Sequence, residues 1–302
     1  IGSTVTIEDC NPGSGGNFIA LSSNSTLHSL SDDVYSNIVN IGFPFSFYGN
    51  TVNQCVIGSN GIISFDISKA GGYCPWSLAG VAPLPNTAFT EAFNSQMPAY
   101  TDINPSIFAS PNGEIRSETI GVAPNRRFII LFKDIIAFGA QAGECNYMAI
   151  IMNEGSNSFE FHLGNKPIVA SWNNGLAIQG AENMTGTVAD MTPGRNNSVW
   201  TAFQEAKIWI PTTPMNTSNY TINNIPYITI VRLRKNSHSF LDNLTFKKGS
   251  FFVSLKSKIK LLIIWISFKD LTAVNFKCCP LRQWLSKILG LELLICLSIF
   301  FH

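Results

Sequence analysis

Asp102 and Asn104 follow Tyr100 closely and place a carboxylate and an amide oxygen near one another, the oxygen chemistry that binds calcium or a sugar hydroxyl. The competing reading is local, an Asx-turn in which either side chain caps its own backbone before Pro105. Trp76, after Cys74 and Pro75, offers a flat ring to a sugar face or, by the commoner fate of tryptophan, a plug for one end of a core. Asp32 and Asp33 supply a second oxygen pair or stay simply solvated. No catalytic set emerges. His28 lies in a polar loop, His162 falls on the strand phase expected to face solvent, and His238 and His302 lie near the C-terminus. No serine or cysteine has an identifiable base, and pairing Asp102 with Glu114 or Glu154 as glycosidase acids lacks a separation to check. Arg126-Arg127 is a lone basic pair without a phosphate-cradling glycine loop. The chain is expected not to be an enzyme and to need no cofactor, calcium at the oxygen-rich loops being the one ion this chemistry admits.

Cys10, Cys55, Cys74 and Cys145 are widely spaced, with no CxxC pair and no nearby histidine to suggest zinc. They are disulfide candidates in an exported protein, and the Asn-, Ser- and Thr-rich loops around them fit that setting. Buried free thiols in a reducing compartment are the alternative. The chain opens at Ile1 without an initiator methionine, which reads as a processed or partial exported chain.

The elements that must position these groups read as strands. Phe43, Phe45 and Phe47 alternate with smaller residues, and Gly49-Asn50 breaks the pattern. Val56–Gly58 and Ile62–Phe65 flank Asn60-Gly61, a pair suited to the positive φ of a tight hairpin turn. Phe128–Phe138 is nearly all apolar, as a strand buried on both faces would be. Phe159, Phe161 and Leu163 point one way while Glu160 and His162 point the other. The total is about nine to eleven strands, enough for two stacked sheets or a closed barrel. The predicted fold is all-β, an antiparallel, jelly-roll-like sandwich.

A net charge of +1 hides a division: residues 1–231 hold 8 Lys+Arg against 16 Asp+Glu, and residues 232–302 hold 12 against 3. The acidic part argues against nucleic acid as a partner. The expected organisation is a β-sandwich over 1–211, a linker over 212–238 beginning after Pro211, and an atypical basic, apolar tail over 239–302. The tail reads as a membrane-associated segment or as a stretch translated out of frame, and the membrane is a partner only if it is genuine.

The collinear pieces FPFSFYGN, CVIGSNGIISFD, CPW, PAYTDINPS, GVAPNRRFII and IIMNEGSNSFEFHLGNKP resemble the amino-terminal module of large secreted surface proteins of Bacteroidota that carry PKD or immunoglobulin-like repeats and a gliding-motility-type sorting domain. The F-x-F-x-F/Y-G, S-N-G-x-x-S-F and D-I-x-P pieces are more distantly similar to the nidogen-type extracellular domain. The resemblance covers Asp32 to Pro211 and implies a secreted or cell-surface location. With the residues above, it points to a non-catalytic adhesion or carbohydrate-binding module whose partner is an extracellular glycan or surface protein. A structural spacer is the alternative reading, and a glycan-cleaving hydrolase a third.

Overall fold

A computed structural model describes residues 18–108, 113–139, 144–170, 173–213 and 216–232. The chain divides into two units, Ile1–His238 and Ser239–His302, and every described residue lies in the first. The tail, with Cys278, Cys279 and Cys296, lies outside the described residues, as does Cys10.

Seventeen strands run in chain order: β1 (Phe18–Leu21), β2 (Thr26–Leu27), β3 (Val39–Phe47), β4 (Asn50–Gly58), β5 (Ile62–Ser64), β6 (Ser95–Tyr100), β7 (Ile103–Phe108), β8 (Glu114–Ile120), β9 (Arg127–Ala137), β10 (Cys145–Asn153), β11 (Phe159–Lys166), β12 (Leu176–Glu182), β13 (Ala189–Met191), β14 (Ser198–Val199), β15 (Ala202–Thr213), β16 (Asn216–Ile225) and β17 (Thr229–Arg232). Three single 3-10 turns are the only helical pieces among the described residues. Eight strands form one sheet, in the order β16-β15-β11-β10-β9-β8-β2 with β7 also on β9. Seven form the other, β13-β12-β6-β5-β4-β3 with β14 also on β12. Pairing within both sheets is antiparallel, and together they make a sandwich. The strands missed by periodicity are mostly those of two to four residues, too short to show an alternation.

The core between the sheets follows from period-2 alternation. Ile41, Phe43, Phe45 and Phe47 of β3 are buried, while Asn40, Gly42 and Pro44 face out. Proline is tolerated here because β3 is an edge strand. From the opposite sheet come Phe159, Phe161 and Trp209, with the Phe159 and Trp209 rings stacked at 5.4 Å. The tight two-residue hairpin joins β3 to β4: Tyr48 (φ 45°) and Gly49 (φ 79°) both adopt positive φ between the paired Phe47 and Asn50. Asn60-Gly61 differs from expectation. Gly58 pairs with Ile62, so the loop has three residues, and within it Gly61 alone has positive φ, at 73°.

Both sheets are also covered on their outer faces, and this corrects two expectations. Ile129 and Leu131 of β9, with Tyr147, Ala149 and Ile151 of β10, pack under Leu21 and Ile230 from a separate parallel pair, β1 with β17. His162 and Glu160 therefore do not face solvent. His162 is 1% exposed and its Nε2 donates to the Glu160 carboxylate over 2.8 Å, while its Nδ1 accepts from the Ile228 N–H at 3.2 Å. The segment 212–238 is not simply a linker either: β16 completes a ten-residue strand against β15, and β17 closes the outer cover. On the other sheet, Leu78, Leu84 and Ala92 from the long segment after β5 lie over Val56, Ile62, Met97 and Tyr100.

Candidate functional site

The β4–β5 loop, residues 59–61, carries the group that organises one end of the sandwich. Asn60 is completely buried. Its amide nitrogen lies 2.9 Å from the Asp33 carboxylate and 3.0 Å from the Cys74 carbonyl, and its amide oxygen accepts from the Ile103 N–H at 3.1 Å. Its backbone carbonyl accepts from the Thr101 N–H at 3.1 Å. One side chain thus ties together the segment before Tyr35, the loop through Cys74 and the β6–β7 connection. Gly61 makes this possible, since a Cβ there would meet the Ala99 carbonyl oxygen at 2.4 Å. The Asn-Gly pair was legible as a turn, but the inward aim of its amide required the buried surroundings.

Asn60 and the β6–β7 connection bring Asp32, Asp33 and Asp102 together, with one oxygen of each within 4.8 Å of the others. Burial first, then the charge of Asp33, pushes the Asp32 carboxyl above the usual range. Like charges held this close favour either a shared proton or a cation, and three carboxylates are an oxygen set suited to calcium. Asp33 sits at φ 53°, in the left-handed region that aspartate tolerates better than most residues. Beside them Tyr73 is 63% exposed, and burial followed by the nearby acids, Asp33 foremost, raises its phenol. Trp76 is half-buried, and its carbonyl accepts from the Asn173 side chain at 3.1 Å.

The sequence-predicted set is therefore split. Asp102 joins the cluster but is 5% exposed, with its carbonyl accepting from the Phe138 N–H at 3.1 Å. Asn104 does not join it as a ligand. Its amide oxygen accepts from the N–H of Ser106 at 2.9 Å and from the Ser106 hydroxyl at 2.5 Å, the local Asx arrangement. Asp32 and Asp33, first read as a secondary pair, supply two of the three carboxylates. Tyr73 was overlooked, although its place beside Cys74 was open to notice.

Of the disulfide candidates, Cys55 and Cys74 are free buried thiols, each pushed by burial up to about 12. The reason they do not meet is the strand period: Cys55 faces the core between the sheets, whereas Cys74 packs on the outer face of the same sheet over Gly58. Cys145 is buried at the start of β10.

The Ser117 hydroxyl lies 2.8 Å from His28 Nε2, a serine–histidine contact between residues 89 positions apart that spacing does not reveal. The pair borders a groove of about 390 Å³ between the β2–β8 edge and β3, lined also by Asn24, Asn40 and Glu118. Burial first and then the Arg116 cation lower the His28 pKa. A cation there opposes the imidazolium that a general base must become, the reverse of the orienting acid in a hydrolytic triad.

The sandwich, covered on both faces, carries its acidic cluster beside the exposed Tyr73 on loops at one end and defines an all-β domain whose distinctive chemistry sits on loops outside its packed layers. A family model described as NIDO related matches residues 10–223, most of the chain, and the chain belongs to that nidogen-related family. This bears out the more distant resemblance drawn from the F-x-F-x-F/Y-G and S-N-G pieces and is consistent with a non-catalytic adhesion or structural domain of extracellular type. No curated protein and no solved structure matches the chain. Among the described residues, no helix is long and apolar enough to cross a membrane.

Proposed function

We propose that the domain is a secreted or cell-surface adhesion module, non-catalytic, whose loop end makes weak contacts with an extracellular glycan. The observation that carries this reading is the convergence of Asp32, Asp33 and Asp102 beside the exposed Tyr73 ring on a rigid, buried Asn60 anchor. Sugars present hydroxyl edges and C–H faces, and carboxylate oxygens with aromatic rings match the two. Calcium held by the three carboxylates would neutralise their mutual repulsion and offer further coordination to hydroxyl groups. Low affinity at each site suits a surface on which many copies act together. Membership of a Bacteroidota-type surface protein is part of the same proposal.

The test is a glycan array probed with the full chain in calcium and again in chelator. Binding that needs calcium and is lost in Tyr73→Ala and Asp33→Asn, with melting temperatures unchanged, supports the proposal. Release of shortened oligosaccharides would establish a hydrolase instead. Absence of binding under both conditions would leave the spacer reading in its place.

A further inference from the structure

The groove beside His28 and Ser117 lies where the edges of the two sheets meet. β2 ends the eight-stranded sheet and β3 ends the seven-stranded one. The space of about 390 Å³ left between them falls within the ~300–1,000 Å³ range of small-ligand sites. Alternation along β8 decides which groups reach it. Ser117 and Thr119 turn towards the space, while Arg116 turns to the other face, where its Nε donates to Glu114 and its Nη1 to the Ser25 carbonyl. Phe128, directly across from Thr119, closes the bottom. Ile38, 47% exposed, and Val39 form an apolar wall.

The hydrogen-bonding groups that line the groove are mostly neutral. Thr26, Ser117 and Thr119 bring hydroxyls, and Asn24 and Asn40 bring amides. Burial and then the Arg116 cation lower the His28 pKa and so favour its neutral imidazole. The carboxylate of Glu118 accepts from the Ser22 N–H and hydroxyl, at 2.6 and 2.5 Å. No Lys or Arg is among the described residues lining the space, so a phosphate, sulfate or carboxylate ligand would meet an anion and no cation. A peptide added as an extra strand would need open main-chain groups along β3. Carbonyls on that edge are already taken: the Thr119 hydroxyl donates to that of Ile41 at 2.7 Å, and Arg126 Nη1 to that of Gly42 at 2.6 Å. What this leaves is recognition by side chains, of a ligand that presents neutral hydroxyls and apolar C–H faces.

We propose that this groove is a second carbohydrate site, one that takes a short, uncharged stretch of glycan without calcium. It is separate from the loop end, since none of Asp32, Asp33, Asp102 and Tyr73 lines it. It goes beyond the adhesion reading by giving one rigid domain two unlike contacts, which together hold a surface more firmly than either alone. The hydroxyls and amides receive the hydroxyl edge of a sugar, and Ile38 with Val39 its C–H face.

The test is an array of neutral and sialylated glycans probed in chelator with the full chain carrying Asp33→Asn. With calcium and the Asp33 carboxylate both removed, the result does not depend on the loop-end reading. Neutral glycans should be retained and sialylated ones excluded. When the most strongly retained neutral glycan is titrated in solution, Asn40→Ala and Ile38→Ala should each weaken binding roughly fivefold, about the loss of one contact. Both residues are exposed, so the melting temperature should hold. Retention of no neutral glycan, a preference for sialylated glycans, or titrations unchanged in both variants would overturn the proposal. So would capture of members of an extended-peptide library in place of any glycan.

Discussion

Replacing Asn60 by alanine should unfasten the loop end of the sandwich and destabilise the whole domain. The substitution leaves the Ile103 N–H and the Cys74 carbonyl without the amide that now satisfies them, at 3.1 and 3.0 Å, inside a fully buried site. Each orphaned buried group costs about 1–3 kcal/mol, and the bond to the half-buried Asp33 adds less because water can replace it. A total near 3 kcal/mol corresponds to a fall in melting temperature of roughly 6–12 °C for a domain of this size. Thermal denaturation followed by circular dichroism reads that directly, and hydrogen exchange should show lost protection at the Ile103 amide. A matched control is Asn40→Ala, an exposed residue whose amide oxygen accepts from the half-buried Gln54 side chain at 2.8 Å and whose effect should stay within about 0.5 kcal/mol. If Asn60→Ala melts within about 2 °C of the parent and keeps Ile103 protected, the amide is not the organiser of this end.

Glu182 is fully buried, and burial raises its carboxyl to about 7 despite a bond from the Asn86 N–H at 2.9 Å. A raised acid binds its proton more tightly in the folded state, so stability should fall as pH rises from about 4.5 towards about 7 and level off above. Glu182→Gln should flatten that dependence in melts taken across the range, and an unaltered profile would assign it to other groups. Mass mapping without reductant should find Cys55 and Cys74 as free thiols that alkylate only after denaturation, and Cys145 in a disulfide; an alkylatable Cys145 would argue for a reducing compartment. A chain ending at His238 should melt cooperatively, whereas one ending at Pro211, which lacks β16 and β17 and uncovers Ile129, Leu131 and Ile151, should aggregate. Equal behaviour of the two would show that the outer cover contributes nothing to folding.

What residue order determined by itself was the class of fold and much of its strand pattern. Phe43, Phe45 and Phe47 had to share a face because side chains alternate along a strand, and Phe128 to Phe138 had to be covered on both sides because neither face is polar. Those are local rules, and β3 and β9 obey them. The tertiary structure decided whatever depends on residues far apart in the chain. His162 and Glu160 have the polar phase of an exposed strand face, yet Ile228 and Ile230 return from more than sixty positions later to bury it. Cys55 and Cys74 are close enough in sequence to pair but lie on opposite faces of one sheet. The acidic cluster was half legible: each carboxylate could be named, but Asp102 reaches Asp32 and Asp33 only because a buried amide at Asn60 holds three separate segments together. Alternation along a strand is written in neighbouring residues, whereas the covering of a face and the meeting of loops are set by how the sheets stack.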